Sequence, residues 1–153
     1  MRSWQIHLNR CGRERRLANL PVNSAIEIIA LQRQPRDVSR FLKLAYAIYR
    51  NDSNWVAPLL ADATKIFSDA NPLFEHAEMQ LWVARRDGRD AGRIAGIIDR
   101  HHNEFHRERT AFFGFFESAD DPTISARLFE TVSSWARQKG MARLLGPMNP
   151  TTN

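Results

Sequence analysis

Glu117 ends the run TAFFGFFE (residues 110–117), directly after two phenylalanines. A carboxylate held beside Phe115 and Phe116 would lose part of its hydration, and desolvation makes a carboxylate a better proton acceptor. The competing reading is a solvated residue at the entrance to a helix. A second polar cluster, His101, His102, Glu104 and His106, precedes the run. His102-Asn-Glu-Phe-His106 displaces the glutamate by one position from His-Glu-x-x-His, so no metal is expected there. Glu104 with His106 suits a proton relay or a substrate contact instead.

Other chemistry-bearing residues have plainer alternatives. Arg100, Arg107 and Arg109, with Asp99, could hold phosphate through guanidinium forks or form cross-strand ion pairs on an exposed face. His76 lies between Glu75 and Glu78, the composition of a hydrogen-bonded loop. Trp55, Trp82 and Trp135 fall on apolar-patterned positions, as core or pocket wall. Gly114, amid four phenylalanines, marks a place where another backbone or a helix comes close, or where a bulge sits.

These residues need elements to carry them. AIEIIALQR (residues 25–33) is a β-branched run, a first strand. Val38, Phe41, Leu42, Ala45, Ile48 and Tyr49 form one helical stripe starting near Asp37. After NDSNW, Pro58 suits the first turn of a second helix through Leu59, Leu60, Ala63, Ile66 and Phe67, which Asn71-Pro72 ends. Residues 78–100 read as two strands joined at Asp87-Gly88, a tight-turn pair. Residues 101–109 read as a connection. The TAFFGFF strand alternates Phe113 and Phe115 with Phe112 and Phe116, so both its faces are expected to be covered.

Asp120 or Asp121 can cap the next helix, with Pro122 in its first turn, and Gly140 ends it. Residues 141–148 make the last strand. A strand, a long helix and another strand form a unit that pairs in parallel. The expected order is β-α-α-β-β-β-α-β, an α/β (α+β) mixed sheet.

Length and composition narrow the function. The 153 residues, 43% hydrophobic and 25% charged, suit one globular domain. The net charge of +5 is concentrated in residues 1–20, which hold five arginines against Glu14. The remainder is close to neutral, so no nucleic-acid partner is expected. The tail is compatible with peripheral contact to an anionic membrane. One cysteine, Cys11, and no apolar run of spanning length point to a reduced, cytoplasmic setting. Residues 1–24 read as a loose basic extension outside the fold.

This order of elements resembles the GNAT superfamily of acyl-CoA N-acyltransferases. Residues 128–153 resemble that family's third helix, its terminal glycine and the following strand. The stretches NPLFEH, DRHHNEFH and TAFFGFFE resemble an uncharacterised bacterial branch whose members continue beyond an NPxTN segment. The resemblance implies a GNAT-like domain over residues 25–153, incomplete at its C-terminus, so that this is the front part of a longer protein. A missing C-terminal half, or a second copy of the chain, is the implied partner.

The resemblance further implies direct acyl transfer from an acyl-CoA co-substrate to a small-molecule or lipid amine, without metal. It implies Glu117 as general base, with Glu104 and His106 at the amine end. It places Phe113, Gly114, Phe115, Phe116 and Gly146 along the acyl-CoA. The family's glycine-rich pyrophosphate loop is replaced here by Glu117-Ser118-Ala119-Asp120-Asp121-Pro122, which has no glycine and two repelling aspartates. On this reading a longer parent catalyses, and the isolated 153 residues fold without turnover. The alternative is a non-catalytic GNAT-like half with a structural role.

Overall fold

In a computed structural model, which describes residues 4–7 by their backbone and residues 25–150 in full, the order is β1 (Trp4–His7), β2 (Glu27–Leu31), α1 (Pro35–Ile48), α2 (Leu60–Lys65), α3 (Leu73–His76), β3 (Ala77–Arg86), β4 (Arg89–Asp99), α4 (Arg100–His106), β5 (Thr110–Ser118), α5 (Pro122–Gln138) and β6 (Arg143–Gly146). One mixed sheet runs β1-β6-β5-β4-β3-β2. β5 and β6 pair in parallel and every other neighbouring pair is antiparallel. This is the α/β class expected from the sequence. β1 differs from the expectation that residues 1–24 stand outside the fold: Trp4–His7 pairs with Arg143–Gly146 and covers the edge of β6.

The sheet is packed on both faces. On one lies α1, whose stripe buries Val38, Phe41, Leu42 and Ala45 against Leu81, Val83, Ala95 and Ile97. On the other, α5 buries Ile124, Leu128, Val132 and Ala136 against Ala84, Ile94, Ala111 and Phe113. The end signals act as their chemistry requires. Asp121 accepts a hydrogen bond from Thr123 N at 2.9 Å, with Pro122 as the first helical residue. The Asp87-Gly88 turn takes φ values of 51° and 74°.

Three local expectations are corrected. The polar run 100–106 is the helix α4, capped by the Asp99 carboxylate at His102 N and closed by Arg107 at φ 54°. Its residues carry no apolar stripe, so periodicity could not reveal it. The second helix begins at Leu60 rather than Pro58, because Leu59 is still extended. The phenylalanines of β5 also do not alternate strictly. Phe112 and Phe115 pack with the α1 layer, Phe113 and Phe116 with the α5 layer. An extra β5 residue between the pairs Ala95–Gly114 and Arg93–Glu117 shifts the alternation.

Arg40 of α1 grips Asp90 of β4 with both nitrogens of its fork, at 2.6 and 2.7 Å. That hydrogen bonding holds the Asp90 carboxyl below the usual carboxylate range. The pair's contribution is therefore complete above an unfolded carboxylate pKa of about 3.9 and is lost as pH falls through the lower folded value. Arg40→Met is expected to cost about 1–2 kcal/mol at neutral pH. The difference should shrink toward zero in acid, as measured by urea unfolding at the two pH values.

Candidate functional site

The bulge in β5 decides which residue faces Arg93. With one extra residue after Gly114, Glu117 rather than Phe116 comes opposite Arg93. Phe115, at the bulge, adopts φ 50°, a left-handed conformation uncommon for a large side chain. Arg93 is buried at 6% exposure, inside the α1 layer. Its Nη1 donates to the carbonyls of Phe41 at 2.8 Å and Leu42 at 3.4 Å, and its guanidinium lies 4.9 Å from the Phe41 ring. Arg93 Nη2 is 3.6 Å from Glu117 Oε1, and burial pulls its pKa down.

Tyr49, at the end of α1, donates its hydroxyl hydrogen to Glu117 Oε2. That hydrogen bond, with burial, pushes the phenol up to about 12. Tyr49 stacks on Trp55 with ring centres 5.2 Å apart. Arg93, Glu117 and Tyr49 thus form a chain of charge and hydrogen bonding across α1, β4 and β5.

Two cavities are lined by Glu117. One, of about 460 Å³, is walled by Leu42, Ala45, Trp55, Leu59, Ile66 and Phe115, with Arg93 on its surface. The other, of about 440 Å³, is polar and lies under the Ser118–Pro122 loop, with Tyr49, Asp120, Asp121 and Ser125. One carboxylate between an apolar and a polar compartment can accept a proton from a group bound where the two approach each other.

The remaining sequence candidates fall into three groups. Phe115 and Phe116 line the apolar and polar cavities respectively. Phe113 packs on Phe129 at 5.1 Å, and a Cβ on Gly146 would meet the Phe113 carbonyl oxygen at 2.5 Å, so this pair joins β5 to β6. Glu104 and His106 are exposed on α4, beside the start of β5. Seven residues of strand, roughly 23 Å, separate Thr110 from Glu117, so the structure does not bring these two residues to the carboxylate. His106 lies against His102 instead, with ring centres 4.4 Å apart and the planes tilted by 41°. Trp55 is pocket wall, whereas Trp82 and Trp135 meet edge to face at 5.6 Å in the α5 layer.

Gly114 is approached by the chain itself. A Cβ there would lie 2.0 Å from the Met148 carbonyl oxygen. Met148 N donates to Phe113 O at 2.8 Å, and Phe115 N donates to Asn149 Oδ1 at 2.7 Å. The Phe113 carbonyl and the Phe115 amide, on the stretch of β5 expected to lie along the acyl-CoA, are therefore satisfied by residues 148–149. At the start of α5, the Asp121 carboxylate occupies Thr123 N, Pro122 has no N–H, and Arg86 pairs with Asp121. This surface does not fit a pyrophosphate, and the β5 groove does not fit a pantetheine arm while residues 148–149 lie in it.

The fold is that of the GNAT superfamily. A tandem GNAT protein from the clavulanic acid pathway superposes with a TM-score of 0.58 at 18% identity, over 75% of this chain and 34% of that one. An aminoglycoside acetyltransferase from an uncultured soil metagenomic sample, solved with sisomicin, gives 0.55 at 14% identity, over 81% and 78%. In sequence the chain is similar to the bacterial ceramide synthase of Caulobacter vibrioides, 34% identical over 133 residues, covering 86% of this chain and 34% of that protein. It is also 32% identical over 117 residues to Protein YghO of Escherichia coli, covering 76% and 30%. The chain spans about a third of the length of these curated relatives. No family model matches it.

Sequence reasoning missed Arg93 and Tyr49. Arg93 left a signal, as the lone charge in the small, apolar run AGRIAGII. Tyr49 left none beyond its place on the α1 stripe.

Two measurements check this geometry. In a Tyr46→Phe background, ultraviolet titration should show one phenol ionising at about 12. Adding Glu117→Gln should return it toward the ordinary value of about 10. Gly114→Ala should push residues 147–150 off β5 and lower stability by about 1–3 kcal/mol. Faster hydrogen exchange at the Phe115 amide would report the displacement, and unchanged exchange would show that the segment does not depend on this glycine.

Proposed function

We propose that the chain is a unit of an acyl-CoA-dependent N-acyltransferase, transferring an acyl group directly from a thioester to an amine. The observation that carries this reading is the Glu117 carboxylate shared by an apolar and a polar cavity on a GNAT fold. In the reaction the amine nitrogen bonds to the acyl carbon, the carbon–sulfur bond breaks, the thiolate leaves with CoA, and the amine's proton passes to a base. Glu117 is that base, held by Arg93 and Tyr49. The apolar cavity favours a long acyl chain and a lipid amine, in keeping with the likeness to a bacterial ceramide synthase. Peripheral contact with an anionic membrane through the basic N-terminus accords with such an acceptor. The nucleotide end of CoA is held by another part of the polypeptide or by a partner chain.

A second reading, a non-catalytic GNAT-like half, is favoured by the filled β5 groove and the capped start of α5. The two readings differ in one assay. Thiol release from acetyl- to palmitoyl-CoA with long-chain amines should be seen with the full-length polypeptide, and Glu117→Gln should lower kcat by about 10²–10⁴-fold. Release that is indifferent to Glu117→Gln would assign catalysis elsewhere and leave this unit structural. Absence of release with every acyl length and amine would refute the acyltransferase reading.

A further inference from the structure

Arg93 has more donor capacity than the fold uses. It is 94% removed from solvent, its Nη1 is spent on two α1 carbonyls, and its Nη2 faces Glu117 at a loose 3.6 Å. Its Nε, also buried, has no hydrogen-bond partner among the described residues. A buried donor without an acceptor is costly, and such groups in native folds ordinarily meet an acceptor, water or a ligand. The same guanidinium lines the mainly apolar cavity, whose other acceptor-bearing walls are already engaged: Glu117 by Tyr49, Asp62 by Lys65 and Asn149 Oδ1 by Phe115 N.

We infer that this cavity binds a single hydrocarbon chain ended by a neutral oxygen, a carbonyl or hydroxyl, that accepts a hydrogen bond from Arg93. Neutrality follows from the charges already in place. Glu117 offsets Arg93, so a second carboxylate would enter a compensated, partly desolvated site without a cation of its own. An ammonium would meet Glu117, whose oxygens already face Tyr49 and Arg93, or Asp62, already paired with Lys65 at 2.7 Å. A neutral oxygen needs only a donor. The chain then runs outward from Phe115 between Ala45 and Ala63, past Ile66, to Leu59 at the rim. The small side chains on facing helices leave its width, and the cavity's volume lies in the ordinary range for small-molecule sites. Val56 and Leu59, exposed at 88% and 73%, continue the apolar path beyond Trp55 and Pro58.

The orientation rests on the acyl-transfer reading, in which the oxygen end must lie beside Glu117, but binding is testable without turnover. Trp55 lines the cavity and reports occupancy. Dodecanol carrying bromine along its chain should quench tryptophan fluorescence saturably, and Trp55→Phe should remove most of the quenching while calorimetry still detects binding. Ala63→Phe, on a half-exposed helix position, should weaken dodecanol binding at least about tenfold, with the thermal midpoint retained. Dodecanoic acid and dodecylamine should bind about tenfold or more weakly than the alcohol.

Equal affinity for acid or amine would overturn the neutral-oxygen assignment, and indifference to Ala63→Phe would overturn the site. Dodecanol binding without thiol release would leave the cavity standing and remove the activity. Thiol release without dodecanol binding would do the reverse.

Discussion

One extra residue in β5 organises the region around Glu117. In an unbulged pairing, Phe116 would stand opposite Arg93 and the α1 layer would hold a buried guanidinium with no carboxylate beside it. The added residue at Phe115 carries Glu117 into register with Arg93 and exchanges Phe115 and Phe116 between the two layers. It coincides with the point where β6 parts from β5, since their pairing ends at Phe112–Leu145. Left-handed backbone at a large residue is ordinarily unfavourable. Here the ring of Phe115 is held by those of Phe41 and Phe67, at 6.0 and 5.1 Å, which stabilises the conformation.

The electrostatics follow from that register. A guanidinium inside an apolar layer is tolerable when α1 supplies carbonyls and the next strand supplies a carboxylate. Tyr49 completes the set by donating to the oxygen that Arg93 does not face. The result is a carboxylate fixed in position by three elements and open to two cavities. Such fixation is what general-base chemistry requires of a side chain, because a misplaced base loses most of its advantage.

The same fold closes the surfaces that a thioester cofactor would be expected to use. β5 and β6 part before Gly114, yet a loop of the same chain lies between them, and the α5 N-terminus is capped by its own aspartate. A helix N-terminus attracts anions only while its amides are free and its neighbours are not acidic. The open cavities at Glu117 and the closed surfaces at Gly114 and the start of α5 together describe a GNAT-like fold whose loops, rather than its sheet, set it apart.

Much of the architecture was legible in the residues. Apolar stripes at helical spacing announced α1 and α5, Asp87-Gly88 announced the hairpin, and Asp121-Pro122 and Gly140 marked the ends of α5. Each is a local signal whose cause lies within a few residues, so sequence alone determines it. Glu117 stood out as a candidate by the same logic, as a carboxylate at the end of an apolar strand. The short polar helix α4 was not, because its cap and its left-handed closing residue leave no periodic trace. Which groups surround Glu117 was decided only by tertiary structure. Arg93 and Tyr49 lie 24 and 68 positions away, and their meeting depends on one inserted strand residue and on where α1 ends. Pairing register is a property of two strands at once, so neither strand's own sequence contains it.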